Sequence, residues 1–211
     1  MRGFHSHAIR ERWDRYFDSL HLVAPEGAFL SLLERYDEPH RAYHTLRHIE
    51  ECFEQFDLVS DVRSPGEAGI ALWFHDAIYD PRSSDNEVRS AELARSVLSG
   101  VGATSVTIEA VERLILATQH SATPHDHDAL VVVDVDLAIF AADASRYQEY
   151  GEQIRREYHW VAEIEFRRER VAILRQFLDR EFLYNTTSFR RRLEARARTN
   201  LAREIASLST W

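Results

Sequence analysis

Pro65-Gly66-Glu67-Ala68-Gly69-Ile70-Ala71-Leu72-Trp73-Phe74-His75-Asp76 is the stretch that decides how this chain reads. Proline is suited to the first position of a helix, so Pro65 opens one. The helix runs through an almost wholly apolar segment and ends in a histidine and an aspartate. It stops near Tyr79-Asp80-Pro81. Burying either polar side chain without a partner is costly. His75 and Asp76 must therefore be ion-paired, hydrogen-bonded or bound to a metal. At a helix terminus, where the backbone turns, both can reach one cation.

Helical periodicity continues outward in both directions. Ala8–Leu20 repeats apolar residues at Ile9, Trp13, Tyr16, Phe17 and Leu20. Glu26–Tyr36 follows Pro25 and is closed by Asp37-Glu38-Pro39. His44–Phe56 carries Leu46, Ile49, Cys52, Phe53 and Phe56 on one side. Downstream, helices are expected over Asp85–Leu98, Thr107–Thr118, Ala129–Ala142, one or two over Ser145–Leu178, and Thr187–Leu208. Val131–Val135 has the β-branching of a strand. The continuation through Leu137, Ala138 and Ile139 favours helix. The expected fold is all-α: one helical bundle with a core at about 41–160 and the helices of 161–208 packed on it.

Composition narrows the chemistry. The chain has 211 residues, 45% hydrophobic and 29% charged, as a globular domain should. No apolar run approaches the ~20 residues that span a bilayer. Residues Met1 to Arg10 hold no apolar signal core, so a cytoplasmic protein is expected, with no membrane partner. A net charge of −9 argues against a nucleic-acid polymer as partner. The chain has no lysine, which excludes Schiff-base and P-loop chemistry. Cys52 is the only cysteine, which excludes a disulfide and a thiolate cluster; mid-helix, it reads as a small buried apolar residue. A metal would then be held by nitrogen and oxygen, and the 11 histidines, several beside carboxylates, suit that.

Four segments carry the polar chemistry: Tyr43-His44-Thr45-Leu46-Arg47-His48, Phe74-His75-Asp76, Thr118-Gln119-His120 and Asp134-Val135-Asp136-Leu137. His44 and His48, four residues apart on a helix, would share a face. Asp134 and Asp136 sit in an apolar run and, being two apart, point in nearly opposite directions. One can face a buried cation while the other points elsewhere. Ligands from separate helices converging in a bundle core make a workable metal cage.

This order resembles the HD-domain superfamily of metal-dependent phosphohydrolases, whose signature is a histidine, a His-Asp doublet and a distant aspartate. A small bacterial branch of predicted HD phosphohydrolases is the nearest in look. The likeness lies in Arg41-Ala42-Tyr43-His44 through His48-Ile49, Phe74-His75-Asp76 through Tyr79, Asn86-Glu87, Ser90-Ala91 and Asp134-Val135-Asp136-Leu137. It spans roughly Arg41 to Tyr158. The resemblance implies a divalent metal (Mn, Zn, Fe, Co, Ni or Mg) on His48, His75, Asp76 and Asp136, with Asp134 as the alternative ligand. Tyr43-His44 through His48 is also similar to the cyclic-nucleotide phosphodiesterase motif. That likeness implies His44 as general acid and, because Leu137 follows it, Asp136 as the last ligand. The purine-clamping glutamine of the phosphodiesterases is not identifiable, so cyclic-nucleotide specificity is not implied. Asp80 is similarly placed to a water-orienting aspartate of HD nucleotidases, and equally reads as a helix-ending residue before Pro81. His120 would meet a second metal or a phosphate. Arg41 would pair with a phosphate bidentately or form a structural salt bridge.

The expected activity is hydrolysis of a small phosphorylated substrate, a nucleotide or another phosphate ester. The alternatives are an HD-type di-iron oxygenase using His120 and Asp80, a non-catalytic nucleotide- or metal-binding module, and a helical interaction protein with incidental histidines. Substrate and metal identity stay open, as does a homodimer.

Overall fold

The structure, a computed structural model, describes residues 2–210, with side chains from Ala8 onward. It is all-helical: ten α-helices and one 3-10 helix, with no strand among the described residues. The helices are α1 (Arg2–Ser19), α2 (Glu26–Tyr36), α3 (Leu46–Phe56), α4 (Pro65–Phe74), α5 (Asn86–Gly100), α6 (Ser105–Ala117), α7 (His127–Asp136), α8 (Ala144–Glu157), α9 (Glu163–Leu178) and α10 (Thr187–Ser209). The 3-10 helix Leu137–Ala141 follows α7 directly. No described helix is long and apolar enough to cross a membrane.

The chain divides into two compact units, Met1–Val133 and Asp134–Trp211. The division falls inside α7, whereas the sequence, which shows no linker, suggests a core ending near residue 160.

In the first unit α4 is the central element, packing against α1, α3, α5 and α6. Its sequence explains the position. Ala68 through Phe74 are all buried, which only a helix surrounded on all sides achieves. Gly69 lets α1 approach: a Cβ there would lie 2.5 Å from the Tyr16 ring. Trp13 and Trp73 meet edge to face at 5.6 Å, both fully buried, with Phe29 and Phe74 around them. Truncating either tryptophan would cost about 3–5 kcal/mol. The entry to α4 is fixed by Asp128 of α7, whose buried carboxylate accepts hydrogen bonds from the amides of Arg63 and Ser64 at 2.9 and 2.7 Å.

In the second unit α10 packs against α9 and the 3-10 helix. Asn200 of α10 donates to the carbonyls of Phe140 and Ala142, both at 2.9 Å, and holds the end of the 3-10 helix. The buried Arg170 guanidinium pairs with Glu204 at 2.8 Å, and Tyr147 donates to the same carboxylate. Val131–Val135 is helical, as the apolar continuation suggested, but the helix tightens to 3-10 geometry at Leu137.

Candidate metal centre

α3 begins at Leu46, two residues later than the periodicity suggests, because Thr45 adopts an extended conformation (φ −112°, ψ 177°). His44 therefore lies in the turn before the helix, and the expectation that His44 and His48 share a helical face is corrected. The turn still brings the rings together, with centroids 6.0 Å apart. His44 is half-buried and stacks on Tyr79 at 4.1 Å.

His48 and His75 are buried, on α3 and at the C-cap of α4. Their Nε2 atoms are 3.1 Å apart. Asp76 Oδ2 is 3.3 Å from His48 Nε2 and 3.1 Å from His75 Nε2. Three polar atoms thus form a nearly equilateral triangle. His75 Nδ1 lies 2.9 Å from the Leu72 carbonyl, which can only accept, so Nδ1 carries the proton. Neutral His75 then turns the Nε2 lone pair toward the carboxylate oxygen of Asp76. That edge of the triangle is repulsive unless positive charge sits within it, as a second proton on His75 or as a cation.

Donors bound at about 2.0–2.1 Å to one tetrahedral ion stand about 3.3 Å from each other, and in an octahedral shell about 3.0 Å. The observed edges fall between these values, so the residues fit a metal. His75 also has the outer-shell partner that a ligating imidazole requires. Asp76 is half-buried, and loss of solvent alone would raise its pKa. Charge on His75 and His44, with hydrogen bonds from His48 and His75, overcomes burial and holds it well below the usual carboxylate range.

Cys52, read from sequence as packing, also belongs to this group. It sits one helical turn after His48, with Sγ 3.7 Å from both ring nitrogens. His48, Cys52 and His75 each present a donor atom within 4.8 Å of the others. The signal was present in the i, i+4 spacing from His48. A buried His48/Cys52/His75 group that could hold a metal ion is therefore built into the first unit.

Arg41 does not face outward to a phosphate. Its side chain is fully buried, and Nε donates to Glu38 at 3.0 Å. The remaining nitrogens donate to the carbonyls of His44 (3.0 Å), Asp76 (2.7 Å) and Ala77 (3.1 Å). The structure corrects the phosphate-binding expectation. Arg41 ties the turn bearing His44 to the loop bearing Asp76, because a guanidinium fork satisfies several carbonyls at once.

Asp80 is exposed in the loop after α4, six residues past the helix end at Phe74, so it does not end the helix; its carboxylate accepts from the Arg82 amide at 2.9 Å. His120 lies two residues beyond the Thr118 C-cap of α6, half-buried and in a left-handed conformation (φ 54°). Asp134 belongs to the second unit. Its carboxylate accepts from the amides of Asn185 and Thr186 at 2.6 and 2.7 Å, and from Asn185 Nδ2 at 3.0 Å. Both oxygens of Asp134 are thus committed to the segment that starts α10. Asp136 ends α7 and is half-buried.

No family model matches the chain, and neither does any curated protein or solved structure.

Proposed function

We propose that this protein is a metal-dependent phosphohydrolase of the HD type, acting on a small phosphate ester. The observation that carries the reading is the triangle of His48 Nε2, His75 Nε2 and Asp76 Oδ2, with edges of 3.1 to 3.3 Å. The ligands proposed are His48, His75, Asp76 and Asp136. Asp136 is preferred to Asp134 because the Asp134 oxygens are already engaged by Asn185 and Thr186. A divalent cation would supply Lewis acidity to the phosphoryl oxygen and to the attacking water.

The remaining roles fall to the chain itself. Asp76 holds negative charge toward the site, its side chain 16% exposed while both imidazoles are buried, so substrate reaches the group on that side. His44 stands beside His48 without being part of the triangle. Protonated, it donates to the ester oxygen as the bond to phosphorus breaks. Arg41 keeps the two segments in register. The net charge of −9 leaves a small substrate, not a polymer, as the partner.

The test is phosphate release from a panel of nucleoside monophosphates and simple phosphate esters by manganese- or zinc-loaded protein. Turnover that disappears in Asp76→Asn supports the proposal. Metal-loaded protein that releases no phosphate from any ester refutes it. Oxygen consumption with two irons bound per chain would select the oxygenase reading instead.

A further inference from the structure

We propose that Cys52 is itself a ligand of the cation held by His48 and His75, and that its sulfur biases the site toward zinc, iron(II) or cobalt(II) over magnesium and manganese. This rests on the metal reading above and narrows which metals the site takes.

α3 buries two adjacent rows. Ile49 and Phe53 form one, and Phe53 meets Tyr16 at 5.6 Å and Trp73 at 5.3 Å. His48, Cys52 and Phe56 form the other, each one turn after the last: Phe56 packs on Tyr16 at 6.2 Å, while His48 faces His75. Cys52 is 2% exposed, and its sulfur lies 3.7 Å from the His48 ring nitrogens and within 4.8 Å of a His75 donor atom. The 3.7 Å separation between Sγ and His48 Nε2 is close to the nitrogen–sulfur edge of a tetrahedral zinc shell, about 3.5 Å for bonds of about 2.0 and 2.3 Å. Thiolates favour borderline and soft cations, whereas magnesium and manganese favour oxygen.

Cobalt(II) is the probe. It is added to the metal-free full chain while absorbance is followed, with bound cobalt counted separately. A near-ultraviolet sulfur-to-cobalt charge-transfer band in the wild type, lost in Cys52→Ser and Cys52→Ala while the imidazoles still bind, is expected. Zinc affinity should fall more than about 100-fold in both variants, since even outer-shell partners are worth 10–100-fold. Manganese affinity should change far less. Cobalt bound by the wild type without the charge-transfer band overturns the role of Cys52 and leaves the metal site standing. No cobalt bound by the wild type overturns both. The wild-type spectrum decides the matter even if a variant fails to fold.

Discussion

The Nε2 atoms of His48 and His75 stand 3.1 Å apart although the residues come from different helices and both are almost wholly buried. The Leu72 carbonyl fixes the proton of His75 on the far side of its ring. With that tautomer, the edge between His75 Nε2 and Asp76 Oδ2 is favourable only if a proton or a cation lies between them.

His44 is predicted to act on the proton and not on the metal. His44→Gln should leave bound metal unchanged. It should lower kcat by roughly 10²–10⁴-fold on an alkyl phosphate, whose leaving group needs a proton. A nitrophenyl ester, which leaves without one, should be affected little. Steady-state kinetics on the two substrates checks this, and an equal loss on both would remove His44 from the acid role.

Arg41 is predicted to be a structural tie. Arg41→Met strands the carbonyls of His44, Asp76 and Ala77. The cost should be at least about 3 kcal/mol, at 1–3 kcal/mol per unsatisfied buried group. Arg41→Lys should rescue little, because an ammonium cannot reproduce the fork. Denaturant unfolding measures both. A stable Arg41→Lys protein with only a raised KM would return Arg41 to the substrate.

Asp134 and Asp136 are predicted to separate stability from metal. Asp134→Ala leaves the amides of Asn185 and Thr186 without their acceptor and should destabilise by about 2 kcal/mol. It should keep its metal, whereas Asp136→Asn should lose affinity for it. Metal titration beside urea unfolding distinguishes them.

Asp134 also predicts a pH dependence. Burial, the largest influence, raises its pKa above the ordinary 3.8, against the hydrogen bonds from Asn185 and Thr186. An acid raised in the folded state favours folding fully below its unfolded pKa and loses that contribution as pH climbs through the folded one. Relative to Asp134→Asn, the wild type should lose stability as pH rises from 3.8 through that raised value. Urea unfolding of both proteins across that window checks the sign, and a relative gain would contradict it.

Much of the fold was legible because its punctuation is local. Pro25 and Asp37 bound α2, and Pro65 opens α4, where the sequence places them. The unbroken apolar run of α4 foretold its central position. The helix expected over Asp85–Leu98 runs two residues further, and α5 ends at Gly100, just before Gly102 takes a positive φ of 79°. Within the site, His48, His75 and Asp76 do converge. The long-range hydrogen bonds were not legible. The partners of Arg41 are main-chain carbonyls up to 36 residues away, and those of Asp134 lie 51 and 52 residues downstream. Neither leaves a pattern in sequence. The Cys52 spacing was visible, but cysteine in an apolar helix is ordinary packing until a structure shows what faces it.

Metal content of the purified chain shows whether the His48/His75/Asp76 triangle holds a cation. After metal-free protein is equilibrated with zinc or manganese and desalted, elemental analysis should find about one ion per chain in the wild type and essentially none in His75→Ala. Wild type that retains no metal, or His75→Ala that retains as much, would mean that the triangle is not a metal site.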